Sequence, residues 1–169
     1  MEALEAILSR RSIRRYARRD VPEKVIETLL EAAMSAPSAG NGQPWHFIVI
    51  RDHRILNDIP KFHPYASMMR ETPLGILVCG DLRRENKGFW VQDCSAASEN
   101  LLLAAHAKGL GAVWLGAYPL EERISGFRKL VGLPEEIMPF ALIAVGYPAE
   151  EIPHRVSRFD VTKVHAERW

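Results

Sequence analysis

Residues 87–116 read KGFWVQDCSAASENLLLAAHAKGLGAVWLG, and this stretch decides the architecture. Between Phe89 and Ala107 the only formal charges are Asp93 and Glu99, and Leu101 to Ala105 is apolar on every face. A helix without a polar side lies in the middle of a structure, not on its surface. Gly109-Leu110-Gly111 ends it, and Ala112 to Leu115 reads as a strand. The passage runs from helix to strand, and Trp114 stands where a G-x-G-x-x-G fingerprint needs its third glycine, so it is no dinucleotide-binding turn. Gly116 and Ala117 either leave main-chain N–H groups open to a flat ligand at a strand end or make a plain structural turn.

Working outward, β-rich runs of strand length occur at 45–50, 74–79 and 140–145. Toward the amino terminus, Ala3, Leu4, Ile7 and Leu8 recur at helical spacing and predict a short amphipathic helix ending near Arg10. Asp20 and Glu23 make a D-x-x-E capping pattern around Pro22, and Val25, Ile26, Leu29, Leu30 and Ala33 form the buried stripe of a second helix that Pro37 stops. Short helical pieces fill 53–59 and 64–71, and a further helix at 120–131 ends before Gly132. Four strands interleaved with five or more helices predict a mixed sheet covered by helices on both faces. Residues 147–169 carry Pro148 and Pro153 with little regular period and read as a carboxy-terminal arm of a single domain spanning 1–169.

Composition removes several classes of function. Lys and Arg number 22 against 21 Asp and Glu, which leaves no cationic excess for a nucleic acid or an anionic leaflet. Two cysteines, Cys79 and Cys94, sit outside any metal-ligand spacing, so neither a disulfide scaffold nor a zinc site is expected. Residues 1–20 carry charges throughout and no run reaches the ~18 apolar residues of a membrane span, so a cytoplasmic location is expected. Serine-hydrolase elbows, phosphate-binding Walker loops and paired zinc histidines are missing.

Two constellations could carry chemistry. Arg10, Arg11, Ser12 and Arg14 follow the first helix, where forked guanidinium donors, a hydroxyl and loop N–H groups suit a phosphate. The same run also reads as solvated positive charge complementing a helix C-terminus. Pro37-Ser38-Ala39-Gly40-Asn41-Gly42-Gln43-Pro44 is a loop of turn formers leading into a strand. The amides of Asn41 and Gln43 can match a heterocycle edge bearing alternate donors and acceptors. Equally, the loop can be a turn with left-handed Asn and Gly, followed by Trp45 in the core.

Taken together, R-R-S-x-R at 10–14, P-S-A-x-N-x-Q-P-W-H-F at 37–47, the apolar helix ending G-L-G-A-V-W-L-G, and Arg158-Phe159-Asp160 with Val164-His165 and Trp169 resemble the FMN-dependent nitroreductase family in its short, single-domain form. The resemblance covers nearly the whole chain. It implies a three-layer α+β fold with a sheet of four to five strands, an intertwined homodimer, and an FMN in each of two clefts between subunits. It assigns Arg10, Ser12 and Arg14 to the phosphate, ribityl chain and pyrimidine edge of the flavin, with main-chain contacts from Arg11. Pro37, Ser38, Ala39 and Asn41 match the loop that the other subunit lays on the ring, with Gln43 nearby. Leu115 and Gly116 fall where a main-chain N–H is aimed at flavin N5, and Arg158 or Arg155 reaches the phosphate. The implied activity is ping-pong hydride transfer from NAD(P)H through N5 to a nitroaromatic, quinone or similar acceptor, with no catalytic side chain and no metal. The alternatives are a non-catalytic FMN carrier, a flavin-fragmenting or dehalogenating relative, and an interaction module without nucleotide.

Overall fold

In the computed structural model, residues 1–151 and 157–169 are described. Four strands, β1 (Trp45–Ile50), β2 (Leu74–Asp81), β3 (Gly111–Gly116) and β4 (Ile137–Gly146), form one sheet in the order β1-β2-β4-β3. The helices are α1 (Ala3–Ser9), α2 (Glu23–Met34), α3 (His53–Asp58), α4 (Trp90–Ala107) and α5 (Glu121–Val131). One face of the sheet packs Ile76, Val78, Ala141 and Ile143 against Leu29 and Ala33 of α2 and Leu101 and Ala105 of α4. The other packs Leu77, Cys79, Val113 and Leu142 against Leu56 of α3, Met69 and Phe127 of α5. The three layers are therefore as expected, with β2 buried along its whole length.

The expected mixed sheet is corrected: every pairing between the named strands is antiparallel. Among the described residues, parallel pairing is confined to a bridge between Ser12 and Ala112. β3 and β4 are joined through a helix, which usually returns a strand parallel; here the chain leaves β3 at Gly116 and comes back at the same end of the sheet, where Gly116 stands opposite Ala141, so β4 runs antiparallel. β4 also starts earlier than the run at 140–145, taking in Pro139. That proline stands opposite Cys79, where the β2–β4 register shifts and a ladder bond is already missing.

One helix expectation also changes. The D-x-x-E box does not form: Pro22 is the N-cap of α2, without a side-chain cap, and Glu23 pairs with Arg51 at 2.7 Å in place of reaching back toward Asp20. α1 forms as expected and ends at Arg10, with its apolar stripe largely exposed. Ala6 is the buried residue, whereas Leu4 is 72% and Ile7 54% exposed.

Candidate functional site

β3 is an edge strand, and its alternation sets the site. Ala117 donates to Phe140 O at 3.0 Å, which makes Gly116 opposite Ala141 a non-bonded pair of the ladder. The N–H and C=O of residues 112, 114 and 116 therefore face away from β4 along the open edge. The Ala117 N–H is taken by this bond and the residue is fully buried, so of the two small residues at the strand end only Gly116 offers a main-chain edge.

The segment after α1 lies along that edge. Ile13 N–H donates to Ala112 O at 3.0 Å, and farther on Ala17 N–H donates to Tyr147 O at 2.8 Å and Ala149 N–H to Arg15 O at 2.9 Å. With Ile13 and Tyr16 buried inward, Arg14 and Arg15 are left pointing outward. Glu150 braces this stretch by accepting the main-chain N–H of Arg14 at 2.6 Å.

Two cavities flank the segment. The first, about 320 Å³, is lined by Arg10, Arg11, Arg158, Ser157, Phe159 and the end of α1. Three arginines line it together, and no carboxylate does. Arg10 Nε is buried without a hydrogen-bond partner; Glu99 lies 3.3 Å away, near enough for an ion pair but off the N–H line. Arg11 Nη1 donates to Leu8 O at 3.1 Å and Arg10 O at 2.7 Å, which folds it back over the helix end. Arg155 lies outside the described residues.

The second cavity, about 450 Å³, is lined by Arg14, Trp114, Leu115 and Gly116 together with His63, Tyr65 and Arg123. Gly116 O accepts twice, from Arg123 Nη1 at 2.7 Å and from His63 Nε2 at 3.0 Å. Accepting carbonyl geometry fixes the proton of His63 on Nε2, leaving a buried Nδ1 without a partner. Burial, and next the charge of Arg123, hold the His63 pKa below its ordinary 6.5, so the ring is neutral near pH 7. His63 and Arg123 carried no local signal: neither sits in a motif, and only the tertiary fold brings both to one carbonyl.

The 37–43 loop is not part of either cavity. Gly40 and Asn41 have φ of 59° and 54°, and Gln43 46°, so the left-handed turn is realised, with Trp45 buried behind it. Ser38 Oγ accepts the Gln43 N–H at 3.0 Å, and Gln43 Nε2 donates to Asn41 Oδ1 at 3.0 Å, so the two amides brace each other. Pro37 and Asn41 are exposed and Ala39 half-buried. Ala39 N–H is held by Asp93 Oδ1 at 2.9 Å, while Asp93 Oδ2 is buried without a partner. Asp93 was visible in the sequence as a charge in an apolar helix; tethering this loop is its structural use.

Cysteine chemistry has no place here. Burial pushes the thiols of Cys79 and Cys94 up to about 12, which keeps them protonated. Among the described residues no group of histidine, cysteine and carboxylates could hold a metal ion, and no helix is long and apolar enough to cross a membrane.

Comparison with known proteins bears on this geometry. The family model described as "Nitroreductase family" matches residues 7–63 and 59–147. A protein of Methanothermobacter thermautotrophicus, provisionally named NADH dehydrogenase/NAD(P)H nitroreductase, is 53% identical over 170 residues, covering 100% of this chain and 88% of its own length. A crystal structure of a similarly named protein from Parabacteroides distasonis superposes with a TM-score of 0.95 at 42% identity, covering 99% of this chain and 98% of that one. Another, a provisionally named nitroreductase of Desulfovibrio desulfuricans in complex with FMN, gives 0.84 at 34%, covering 100% and 98%. Shared sequence over essentially the full length, on a shared backbone, means that this chain belongs to the nitroreductase family.

Proposed function

We propose that the chain is an FMN-dependent oxidoreductase. FMN bound along the β3 edge would supply the chemistry, taking a hydride from NAD(P)H at N5 and returning it to a nitroaromatic, quinone or similar acceptor in a ping-pong cycle. One observation carries the reading: the 10–14 segment joins an arginine-lined cavity at one end to the open main-chain edge of Gly116 at the other. From Ala112 to Gly116 the strand advances about 13 Å at ~3.3 Å per residue. That is a reach suited to a tricyclic ring carrying a five-carbon chain and a phosphate.

The residues present fit such a ligand. Arg10 has a buried Nε with no hydrogen-bond partner, and with Arg158 and Arg11 it makes a cavity whose arginine lining suits a phosphate monoester of about −1.5 to −2 near pH 7. Ser12 is exposed on the same segment, within reach of a polyol chain. Arg14, on the rim of the second cavity, would balance negative charge on the pyrimidine side of a reduced ring. Gly116 turns its N–H to the open edge beside Leu115, and the peptide that follows is held by two donors on Gly116 O and by the Ala117 N–H on Phe140 O.

The chain is also proposed to work as a homodimer. Leu4, Ile7, Phe159, Val161, Val164 and Trp169 are all more than half exposed, a set of apolar side chains that a second copy would cover. The loop carrying Pro37, Ser38, Ala39, Asn41 and Gln43 stands away from both cavities of its own subunit, as a loop serving the other subunit's cleft must. A cytoplasmic location agrees with two free, buried cysteines.

The decisive experiment compares FMN with riboflavin. FMN should bind with a visible flavin spectrum that bleaches anaerobically with NADH or NADPH and returns on adding menadione or a nitroarene. R10A and R158A should weaken FMN at least about tenfold, the worth of one charge-assisted bond, and leave riboflavin affinity nearly unaltered. A chain that binds neither flavin overturns the proposal; equal losses for both flavins overturn the assigned phosphate end.

A further inference from the structure

The second cavity holds a charge that nothing among the described residues balances. Arg123 is half-buried at the start of α5, donating through Nη1 to Gly116 O at 2.7 Å, and its guanidinium carbon stands 5.6 Å from the centre of the Tyr65 ring. These two contacts fix the group but neither neutralises it. No ion pair involves Arg123 among the described residues, and no carboxylate lines the cavity. The nearest acidic residue in sequence, Glu122, lines a different cavity on α5, beside Lys61 and Arg128. Arg14 is differently placed, because the Glu150 carboxylate sits on its main-chain N–H. His63, the remaining titratable lining group besides Tyr65, is buried and neutral at pH 7.

A half-buried guanidinium has lost part of its hydration, and one of its five donors is spent on Gly116. The remaining donors form a planar fork suited to a carboxylate, and the exposed face of Tyr65, 71% accessible, offers a surface for an aromatic ring next to it. We infer that Arg123 is a specificity-determining residue that receives the anionic group of the reducible substrate, so that the site prefers flat aromatic acids to their neutral isosteres. This rests on the flavin reading above, which brings the reacting N5 of the ring to the main chain of Gly116, the residue whose carbonyl Arg123 holds. The same fork could serve a phosphate of the nicotinamide donor, and the two sources are separable by experiment.

The test uses benzoate and benzamide, which share shape and differ in charge, as unreactive probes of the FMN-supplemented protein by titration calorimetry. Benzoate should bind at least about tenfold more tightly than benzamide, with the difference shrinking as salt is raised. R123Q should weaken benzoate by about tenfold and shift benzamide less than twofold, and R123K, which keeps the charge, should restore most of the preference. The KM values for 4-nitrobenzoate and 4-nitrobenzamide should follow the same pattern, with the KM for NADH moving far less. Absence of any preference in the parent protein overturns the inference. So does an equal loss for both probes, which marks a structural role, or a loss confined to NADH, which assigns the fork to the donor. Calorimetry reads the probes whether or not flavin is taken up: Arg123-dependent benzoate binding in a chain that refuses FMN upholds the anion site and sinks the flavin reading instead.

Discussion

Replacing Gly111 by alanine should damage fold and site together, because the added methyl has nowhere to go. An alanine Cβ at this position would stand 2.7 Å from both Cβ and Cγ2 of Ile13, against an ordinary contact distance of 3.4–4 Å. The nearest atom is Ile13 Cβ, which no change of rotamer can move. The main chain at Ile13 must therefore retreat by roughly 0.7 Å or β3 must bend, and either strains the bond from Ile13 N–H to Ala112 O. Overpacking of this kind costs about 1–3 kcal/mol. For a chain of this length each kcal/mol lowers Tm by about 2–4 °C, so a fall of roughly 2–12 °C is expected in a circular-dichroism melt. Ile13 lies between Ser12 and Arg14, so the same displacement should weaken FMN about tenfold in a fluorescence-quenching titration, the worth of one misaligned charge-assisted bond. A G111A protein that melts within 1 °C of the parent and binds FMN within twofold would refute the claim that this close approach sets the position of the 10–14 segment.

Removing Arg14 should make bound flavin harder to reduce. A unit charge ~4 Å away contributes about 1–4 kcal/mol, and ~30 mV corresponds to 1.4 kcal/mol for two electrons, so R14A should lower the potential by about 20–90 mV in a dye-equilibration titration. An unchanged potential with FMN still bound would exclude Arg14 from the ring's electrostatics. His63 gives a pH signature. Its pKa is depressed in the folded state, so below 6.5 the unfolded chain binds the extra proton first and stability falls as pH drops through that value toward the folded pKa. H63Q keeps a donor for Gly116 O and should flatten the decline in Tm between about pH 7 and 5.5; a slope equal to the parent's would assign it to other groups. D93A should cost about 1.5–3 kcal/mol, because it frees the Ala39 N–H from a charged acceptor, and should speed amide exchange over 39–43. Unaltered exchange there would mean that the loop's own bonds suffice.

The sequence made the layers legible because they rest on local pattern. Strands such as β1 announce themselves by β-branched and aromatic runs, and α4 by its lack of charge. The arginines at 10–14 and the turn at 37–43 were equally local, being contiguous and chemically uniform. Pro139 was harder, since a proline reads as a break unless the register shift opposite Cys79 is known, and that shift belongs to two strands at once. The spacing on α1 made its helix legible but not what covers its apolar face: Leu4 and Ile7 stay exposed among the described residues. Strand direction likewise depends on the end of the sheet to which the chain returns after α5, which periodicity does not encode. His63 and Arg123 were invisible because their common partner is a backbone oxygen more than 50 positions from one of them and seven from the other.

The outer side of β3 also bears on how the protein survives at high concentration. A bare rim of alternating amides and carbonyls is a template on which stray extended peptides can pair and fibres can grow. Here two of its outward oxygens are already claimed, at Ala112 by Ile13 and at Gly116 by His63 and Arg123, so a foreign strand cannot pair in register along the rim. What stays accessible is a gap a few residues long, enough for a small molecule to lie against and too short for a polypeptide ladder to take hold.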